Sequence, residues 1–204
     1  FALKIIKKNS KNIIIISERK NNLLFSLSKK FNLFYIEHKN FIGGRYSVLS
    51  DAGIIPAYLM GINTVNLRSK IQDFLQGKEK IFLKDSAIKL SNLLNSKKID
   101  NIIFLNYSPK LEKFLFWCQQ LIAESLGKRG KGFLPVVSSA PKDHHSLLQL
   151  YLDGPRNKLF HIFSVEEKSK EKVNIRKITK MKNFLDKKNL STIKVAQKNA
   201  IIET

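Results

Sequence analysis

The feature of this sequence that most constrains its fold is a series of short apolar runs, each separated from the next by a segment with helical spacing. Residues 13–16 are four consecutive isoleucines, and residues 100–106 read DNIIFLN. Continuous apolar runs of this length are typical of strands buried on both faces of a parallel sheet. Further strands are predicted at residues 33–36, 133–137, 159–165 and 192–195. The alternation predicts an α/β protein whose mostly parallel sheet is covered by helices on both faces.

The segments between the predicted strands carry apolar residues at helical spacing. The strongest of them begins at Ser108-Pro109, with serine at the N-cap and proline at the first helical position. Its predicted apolar stripe is Leu111, Phe114, Leu115, Cys118, Leu121 and Ile122. Residues 1–9 are predicted to form the last part of a helix. Other helices are predicted at 23–31, 48–60, 65–75, 81–94 and 175–185. A glycine-bearing turn is expected at 40–47 and a charged loop at 168–172. Pro56 is expected to kink or restart the helix at 48–60.

Composition and cysteine count place the chain among globular proteins. The chain is 43% hydrophobic, and its 204 residues are enough for one full-sized α/β domain or for two small ones that share a core; we expect a single domain over residues 1–204. The lone cysteine, Cys118, cannot form an internal disulfide, so we expect a cytoplasmic protein in a reducing compartment. The longest nearly apolar stretch, residues 52–62, is shorter than the ~20 residues that a membrane span needs, so no membrane partner is expected.

The net charge of +21, from 37 basic and 16 acidic residues, raises the possibility of nucleic-acid binding. The distribution argues against it, because the charge is densest at the two ends of the chain and only six of the basic residues are arginine. A basic surface that attracts a small anionic substrate explains the charge equally well.

Two clusters could carry chemistry. In residues 41–47, FIGGRYS, the amides around Gly43 and Gly44 and the cation of Arg45 would suit an anion, although the segment is also compatible with an ordinary loop and a solvated arginine. Between residues 120 and 154, Glu124 lies on the polar face of the strong helix beside Gln120. It is either a surface residue or a base that faces a cleft.

His144 and His145, in a polar loop that enters a short helix, are candidates for acid–base work or simply surface residues. His38 and His161 lie in apolar strands and are most simply structural. The sequence has no phosphate-binding glycine loop of the G-x-x-x-x-G-K-[ST] type and no G-x-S-x-G or H-E-x-x-H motif. The single cysteine and the four scattered histidines make no metal-ligand spacing.

Three long segments resemble glucose-6-phosphate isomerases in their shorter bacterial form. They are IGGRYSVLS at 42–50, GIIPAYLMGIN at 53–63, and QLIAESLGKRGKGFLPVVSSAPKDHHSLLQLYLDGPRNKLFHIF at 120–163. The resemblance extends from about residue 13 to the end and is loose at 64–100 and 168–204. It implies a three-layer αβα sandwich of the sugar-isomerase (SIS) type. It also implies cofactor-free interconversion of glucose 6-phosphate and fructose 6-phosphate, a step of glycolysis and gluconeogenesis.

By the same resemblance, Glu124 would be the base that moves a proton between C2 and C1. Arg45, aided by the amides around Gly43 and Gly44, would stabilise the enediolate. His145 would open the sugar ring. Because this histidine reaches the site from the neighbouring subunit in the family, the resemblance implies a homodimer with a shared active site.

Gln120, one helical turn before the candidate base, would contact a substrate hydroxyl by the same resemblance.

The family's Ser/Thr/Gly-rich phosphate loop and its lysine-bearing segment have no counterpart in residues 1–204. The resemblance therefore implies that the chain is part of a longer protein and that alone it would bind substrate poorly and turn over slowly. Two other hypotheses remain at this point. One is a non-catalytic SIS domain that binds a sugar phosphate as a sensor, and the other is a basic nucleic-acid-binding module.

Overall fold

The computed structural model of the chain describes residues 4–6, 9–69, 71–166, 172–174 and 184–204. Most of the predicted loop at 168–172 and of the predicted helix at 175–185 lies outside the described residues. The chain divides into two compact units, residues 1–86 and residues 87–204. This division does not test whether the units behave as one domain, so the single domain predicted for residues 1–204 stays a prediction.

The first unit is built around two parallel strands joined by a helix. Strand β1 (Ile14–Ser17) pairs with β2 (Phe34–Glu37), and helix α1 (Leu23–Phe31) connects them. The helix begins where the Asn22 side chain accepts a hydrogen bond from the Phe25 amide at 2.9 Å. It ends at Asn32, whose φ of 50° lies in the left-handed region that asparagine tolerates. Both strands and the helix confirm the prediction to within one residue.

The remainder of the first unit is helical, but it is divided differently from the prediction. A 3₁₀ turn (Gly44–Leu49) precedes helix α2 (Asp51–Leu59), so the single helix predicted over 48–60 is wrong at its start. The extended backbone of Ser50, with φ of −96° and ψ of −175°, separates the two. Helix α2 continues through Pro56.

The helix predicted over 65–75 is confirmed on both sides of residue 70, which lies outside the described residues. The described helical segments here are α3 (Thr64–Ser69) and α4 (Ile71–Gln76).

The second unit contains a three-stranded parallel sheet. Its central strand is β3 (Asn101–Asn106), flanked by β4 (Leu134–Ser139) and β5 (Lys158–Phe163). Each pairing with β3 extends over six residues in parallel register, which confirms the predicted strands and their direction. Residues 102–105 of β3 are each less than 5% exposed, as expected for a strand that is covered on both faces.

Alternating side chains of β3 divide the core into two clusters. Ile102 and Phe104 pack with Leu115 of helix α6 (Glu112–Leu126) and with leucines of helix α5 (Glu79–Ser96). Ile103, Leu105 and Tyr107 pack on the other face. There they meet Tyr151 of helix α7 (His144–Leu152) and Ile201 of helix α8 (Leu190–Glu203). Helices therefore cover both faces of the sheet, as the predicted α/β sandwich requires.

The start of α6 differs from the prediction. Ser108 does not cap the helix, because a 3₁₀ turn (Pro109–Leu111) intervenes and the α-helix begins at Glu112. Ser108 is fully buried, and its hydroxyl has no hydrogen-bond partner among the described residues. Burial at the end of β3 directs this side chain into the core instead of toward the helix amides.

The last predicted strand, at 192–195, is wrong, since this segment lies inside α8. The half-buried residues of this helix are Ser191, Ile193, Lys194, Lys198 and Ile201. Three of these five are polar, so a pattern based on apolar residues alone does not mark the buried side of the helix. Contact of Ile201 with the core outweighs the β propensity of the short run at 192–195.

In α6 the predicted stripe is correct except at one edge. Leu111, Leu115, Cys118 and Ile122 pack against the core, whereas Phe114 is 47% exposed. At 100° per residue Phe114 lies at the border of the stripe, and its ring contacts Trp117 with the ring centroids 5.9 Å apart. No helix among the described residues has the length and apolar character needed to cross a membrane.

Replacement of Leu115 by alanine in the full-length protein is expected to lower the free energy of unfolding by about 2–5 kcal/mol, because the side chain is fully buried. Phe114→Ala, one position away and half exposed, is the matched control and is expected to lower it by less than about 1 kcal/mol. Urea denaturation followed by circular dichroism measures both. Equal losses would contradict the assignment of the core face.

Candidate active site

The loop that carries Gly43, Gly44 and Arg45 lies in the first unit, between β2 and α2. Residue His38, just after β2, donates a hydrogen bond from its Nε2–H to the carbonyl of Ile42 at 2.9 Å, when the proton is on that nitrogen. The chain then enters the 3₁₀ turn, in which the Tyr46 amide donates to the carbonyl of Gly43 at 2.9 Å. The glycine loop is therefore a defined turn that is attached to the end of the sheet.

Arg45 is half-buried, and its guanidinium carbon lies 4.8 Å from the centre of the Tyr46 ring. Stacking on an aromatic face orients a guanidinium while leaving its N–H groups able to donate in the plane. A cavity of about 560 Å³ adjoins the loop, and Gly43, Tyr46 and Arg68 are among the residues that line it. Sequence reasoning missed Arg68, because no motif links a residue of α3 to the glycine loop.

Gly44 has no steric need to be glycine within the described chain. A Cβ atom at this position would have no heavy atom within 4 Å, and its φ is not in the left-handed region. By contrast, a Cβ atom at Gly53 would lie 2.0 Å from the carbonyl oxygen of Val48. The open space over Gly44 is what a ligand would need in order to approach the backbone amides of this turn.

The candidate base, Glu124, lies in the last turn of α6 in the second unit. Its Oε1 accepts a hydrogen bond from Gln120 Nε2 at 3.0 Å, one helical turn earlier. Both side chains are exposed, on the side of the helix that faces away from the core stripe, as the helical spacing predicted. The hydrogen bond therefore orients a carboxylate that solvent, or a bound substrate, can reach.

A tight turn follows α6 and sets the direction of the chain between the candidate base and β4. Lys128 and Lys131 exchange two backbone hydrogen bonds of 3.0 Å across Arg129 and Gly130, whose φ values are 55° and 71°. Gly132 has φ of 140°, and a Cβ atom there would lie 2.9 Å from the Gly127 Cα. Only glycine allows this approach, so the turn that leads from α6 to β4 depends on it.

The start of α7 is fixed by Asp143. Its Oδ2 accepts hydrogen bonds from the Ser139 amide at 2.7 Å and from the Ser138 hydroxyl at 3.1 Å. Its carbonyl accepts from the Leu147 amide at 2.8 Å, which begins the helical hydrogen-bond pattern. The side chain of Asp143 therefore ties the first turn of α7 to the end of β4.

The two adjacent histidines at the start of α7 have different surroundings. His144 is half-buried, and its Nε2 is hydrogen-bonded to the hydroxyl of Tyr107 at 2.9 Å. His145 is exposed. A buried phenol therefore holds His144, whereas His145 projects to the surface. The exposure of His145 favours it as the candidate for proton exchange with a substrate.

His161 is a structural residue of β5, as the apolar strand predicted. Its ring meets the edge of the Phe104 ring with centroids 6.1 Å apart, and burial lowers its pKa, so it stays neutral in the core. In the described part of the chain, no three His, Cys, Asp or Glu side chains are grouped closely enough to hold a metal ion.

The predicted site residues therefore fall into two groups. Gly43, Gly44 and Arg45 form one turn of the first unit; Gln120, Glu124 and His145 belong to the second, where the first two are hydrogen-bonded to each other. Convergence of the two groups on one substrate belongs to the proposed function below.

Comparison with solved structures identifies the fold. The chain superposes with a TM-score of 0.78 on the hypothetical protein TT0462 from Thermus thermophilus, over 99% of this chain and 52% of that one. The two sequences are 24% identical, so this likeness supports the α/β fold alone. No protein-family model matches the chain.

Comparison with curated proteins identifies similar sequences. The chain is 31% identical to glucose-6-phosphate isomerase of Mycoplasmopsis synoviae, over 94% of this chain and 46% of that protein. It is 30% identical to the protein of the same name from Rubrobacter xylanophilus, over 76% of this chain and 37% of that protein. For the one from Methanocaldococcus jannaschii the identity is 36% over 58% of this chain and 30% of that protein. The chain thus spans less than half the length of these relatives.

Asp143→Ala in the full-length protein is expected to lower the free energy of unfolding by about 1–3 kcal/mol, because it leaves the Ser139 amide and the buried Ser138 hydroxyl without their acceptor. Asp153→Ala is the control. That carboxylate, at the other end of α7, accepts only a long 3.4 Å bond from the exposed Gln149 among the described contacts, so a change within about 0.5 kcal/mol is expected. Chemical denaturation measures both, and a neutral Asp143→Ala would refute the anchoring role.

Proposed function

We propose that the protein to which this chain belongs is a glucose-6-phosphate isomerase. The observation that carries the proposal is the similarity over 94% of the chain to a curated protein of that name, combined with the exposed Gln120–Glu124 pair on α6. The substrate would be a sugar phosphate, which the chain's net charge of +21 would attract.

The reaction requires the transfer of a proton between two neighbouring carbons. A base removes the weakly acidic proton from C2 of the open-chain aldose, and the C–H electron pair forms the C1=C2 double bond of the enediolate as the carbonyl electron pair moves onto O1. A proton is then delivered to C1, and the O2 hydroxyl loses its proton while O1 gains one, which gives the ketose. Negative charge develops on the enediolate oxygens, so a fixed cation or backbone amides must lie beside them. The reaction therefore needs a base at the C2 proton and a group that stabilises the negative charge of the enediolate oxygens.

In the proposal Glu124 is the base. Gln120 orients its carboxylate through the bond to Oε1 and would also contact a substrate hydroxyl. Arg45 and the amides around Gly43 and Gly44 would stabilise the enediolate, with the guanidinium oriented by the ring of Tyr46.

His145 would open the ring of the cyclic sugar by proton transfer to the ring oxygen, because it is exposed at the start of α7. In a homodimer with a shared active site, which stays a prediction, this histidine would serve the neighbouring subunit. A cytoplasmic location and a single domain over residues 1–204 also stay predictions.

Replacement of Glu124 by glutamine in the full-length protein is expected to lower isomerase kcat by about 10²-fold or more while retaining substrate binding, because the amide keeps the shape but cannot accept the proton. A coupled assay measures turnover, and calorimetry measures binding. Glu112→Gln, in the first turn of the same helix, is the matched control and is expected to have wild-type turnover. Unchanged turnover of Glu124→Gln would contradict the base assignment. Binding by a wild type that has no turnover would instead favour a non-catalytic sensor.

Gly44→Ala is expected to leave the unfolding midpoint unchanged, since the added Cβ atom meets nothing in the chain. It is expected to raise KM by about tenfold, equivalent to ~1.4 kcal/mol, if substrate approaches the backbone there. Gly53→Ala is the contrasting variant, because its Cβ atom would collide with the Val48 carbonyl and destabilise the fold. A KM of Gly44→Ala equal to that of wild type would place the substrate elsewhere.

A further inference from the structure

Tyr107 is a fully buried phenol whose hydroxyl contacts a single ionisable side chain in the structure described here. It follows the last residue of β3 and packs in the core cluster with Ile103 and Leu105. Its hydroxyl lies 2.9 Å from His144 Nε2, and the two rings meet edge to face with their centroids 5.7 Å apart. Burial raises the pKa of Tyr107, so the hydroxyl stays protonated at neutral pH and can donate to His144 Nε2 when that nitrogen carries no proton.

The partner of this hydrogen bond is the first residue of α7, and the next residue is His145. A buried hydroxyl that loses its hydrogen-bond partner costs free energy. The hydrogen bond from Tyr107 therefore stabilises the observed position of the His144 ring. Together with Asp143, which is bonded to the end of β4, it gives the first turn of α7 two attachments to two neighbouring strands. The backbone of His145 is thus determined by the carboxyl ends of β3 and β4.

We propose that Tyr107 is a positioning residue for His145: through the ring of His144 it fixes the first turn of α7, from which His145 projects. The inference rests on the proposed function, in which His145 opens the sugar ring. Proton transfer to a ring oxygen depends on the placement of the donor, and a displacement of about 1 Å can reduce a rate by ~10²-fold. Tyr107 itself would not touch the substrate.

The test uses the full-length protein and separates ring opening from isomerisation. Exchange between the α and β anomers of glucose 6-phosphate requires opening, rotation about the C1–C2 bond and closure, but no transfer of the C2 proton. Two-dimensional exchange NMR measures this rate, and the coupled assay measures isomerisation on the same samples. Glu124→Gln is expected to lose isomerisation and retain anomer exchange.

Tyr107→Phe, which removes only the hydroxyl, is expected to lower enzyme-catalysed anomer exchange by about tenfold. His144→Leu is expected to have the same effect, and the double variant is expected to be no slower than His144→Leu alone, because both changes break one interaction. His144→Gln is expected to retain most of the rate, since its amide can still bond the phenol.

Tyr35→Phe is the matched control. It also removes a phenolic hydrogen bond, from Tyr35 to the carbonyl of Ser17 at 2.7 Å, but it lies in the first unit. We expect it to lower the thermal unfolding midpoint without changing anomer exchange. Wild-type exchange in Tyr107→Phe, or losses that multiply in the double variant, would overturn the positioning role while leaving the isomerase proposal intact. A wild type with no isomerase activity would overturn both.

Discussion

Burial of strand β3 on both faces is the constraint on which the second unit depends. Its alternating side chains supply both core clusters, so the helices on one side and those on the other pack against the same four consecutive residues, 102–105. Each neighbouring strand pairs with β3 over its full length, which sets the register of the sheet. A substitution at Ile102 or Phe104 would therefore disturb the cluster on one face, and one at Ile103 or Leu105 the cluster on the other.

The carboxyl end of β3 connects the core to the candidate chemistry. The side-chain oxygen of the buried Asn106 accepts a hydrogen bond from the Ser108 amide at 3.0 Å, and its backbone carbonyl accepts one from the Ala140 amide at 2.9 Å. The Tyr107 amide donates to the Phe163 carbonyl at 2.8 Å. The ends of all three strands are joined by these bonds. Ligands of parallel α/β sheets bind at this edge, because loops there can vary while the strands stay rigid.

The residues that anchor the helices and the exposed candidate residues are different residues in this chain. Asp143 and Tyr107 hold the start of α7 from within, and the neighbouring His145 is exposed. Likewise Gln120 orients Glu124 on the outer face of a helix that the core holds through Leu115. In both places a packed scaffold limits the positions that an exposed side chain can occupy, which is what proton transfer to a substrate requires.

Local patterns in the sequence were sufficient to predict most of the strands, their parallel pairing and the face of α6 on which Glu124 lies, because apolar periodicity reports burial directly. The Gly-Gly-Arg turn and the adjacent histidines were identified from residue type and local motif. Three features follow instead from packing in three dimensions: residues 192–195 are helical, Ser108 is a core residue and Tyr107 holds His144. Each of these depends on contacts between segments distant in the chain, and local propensity carries no information about such contacts.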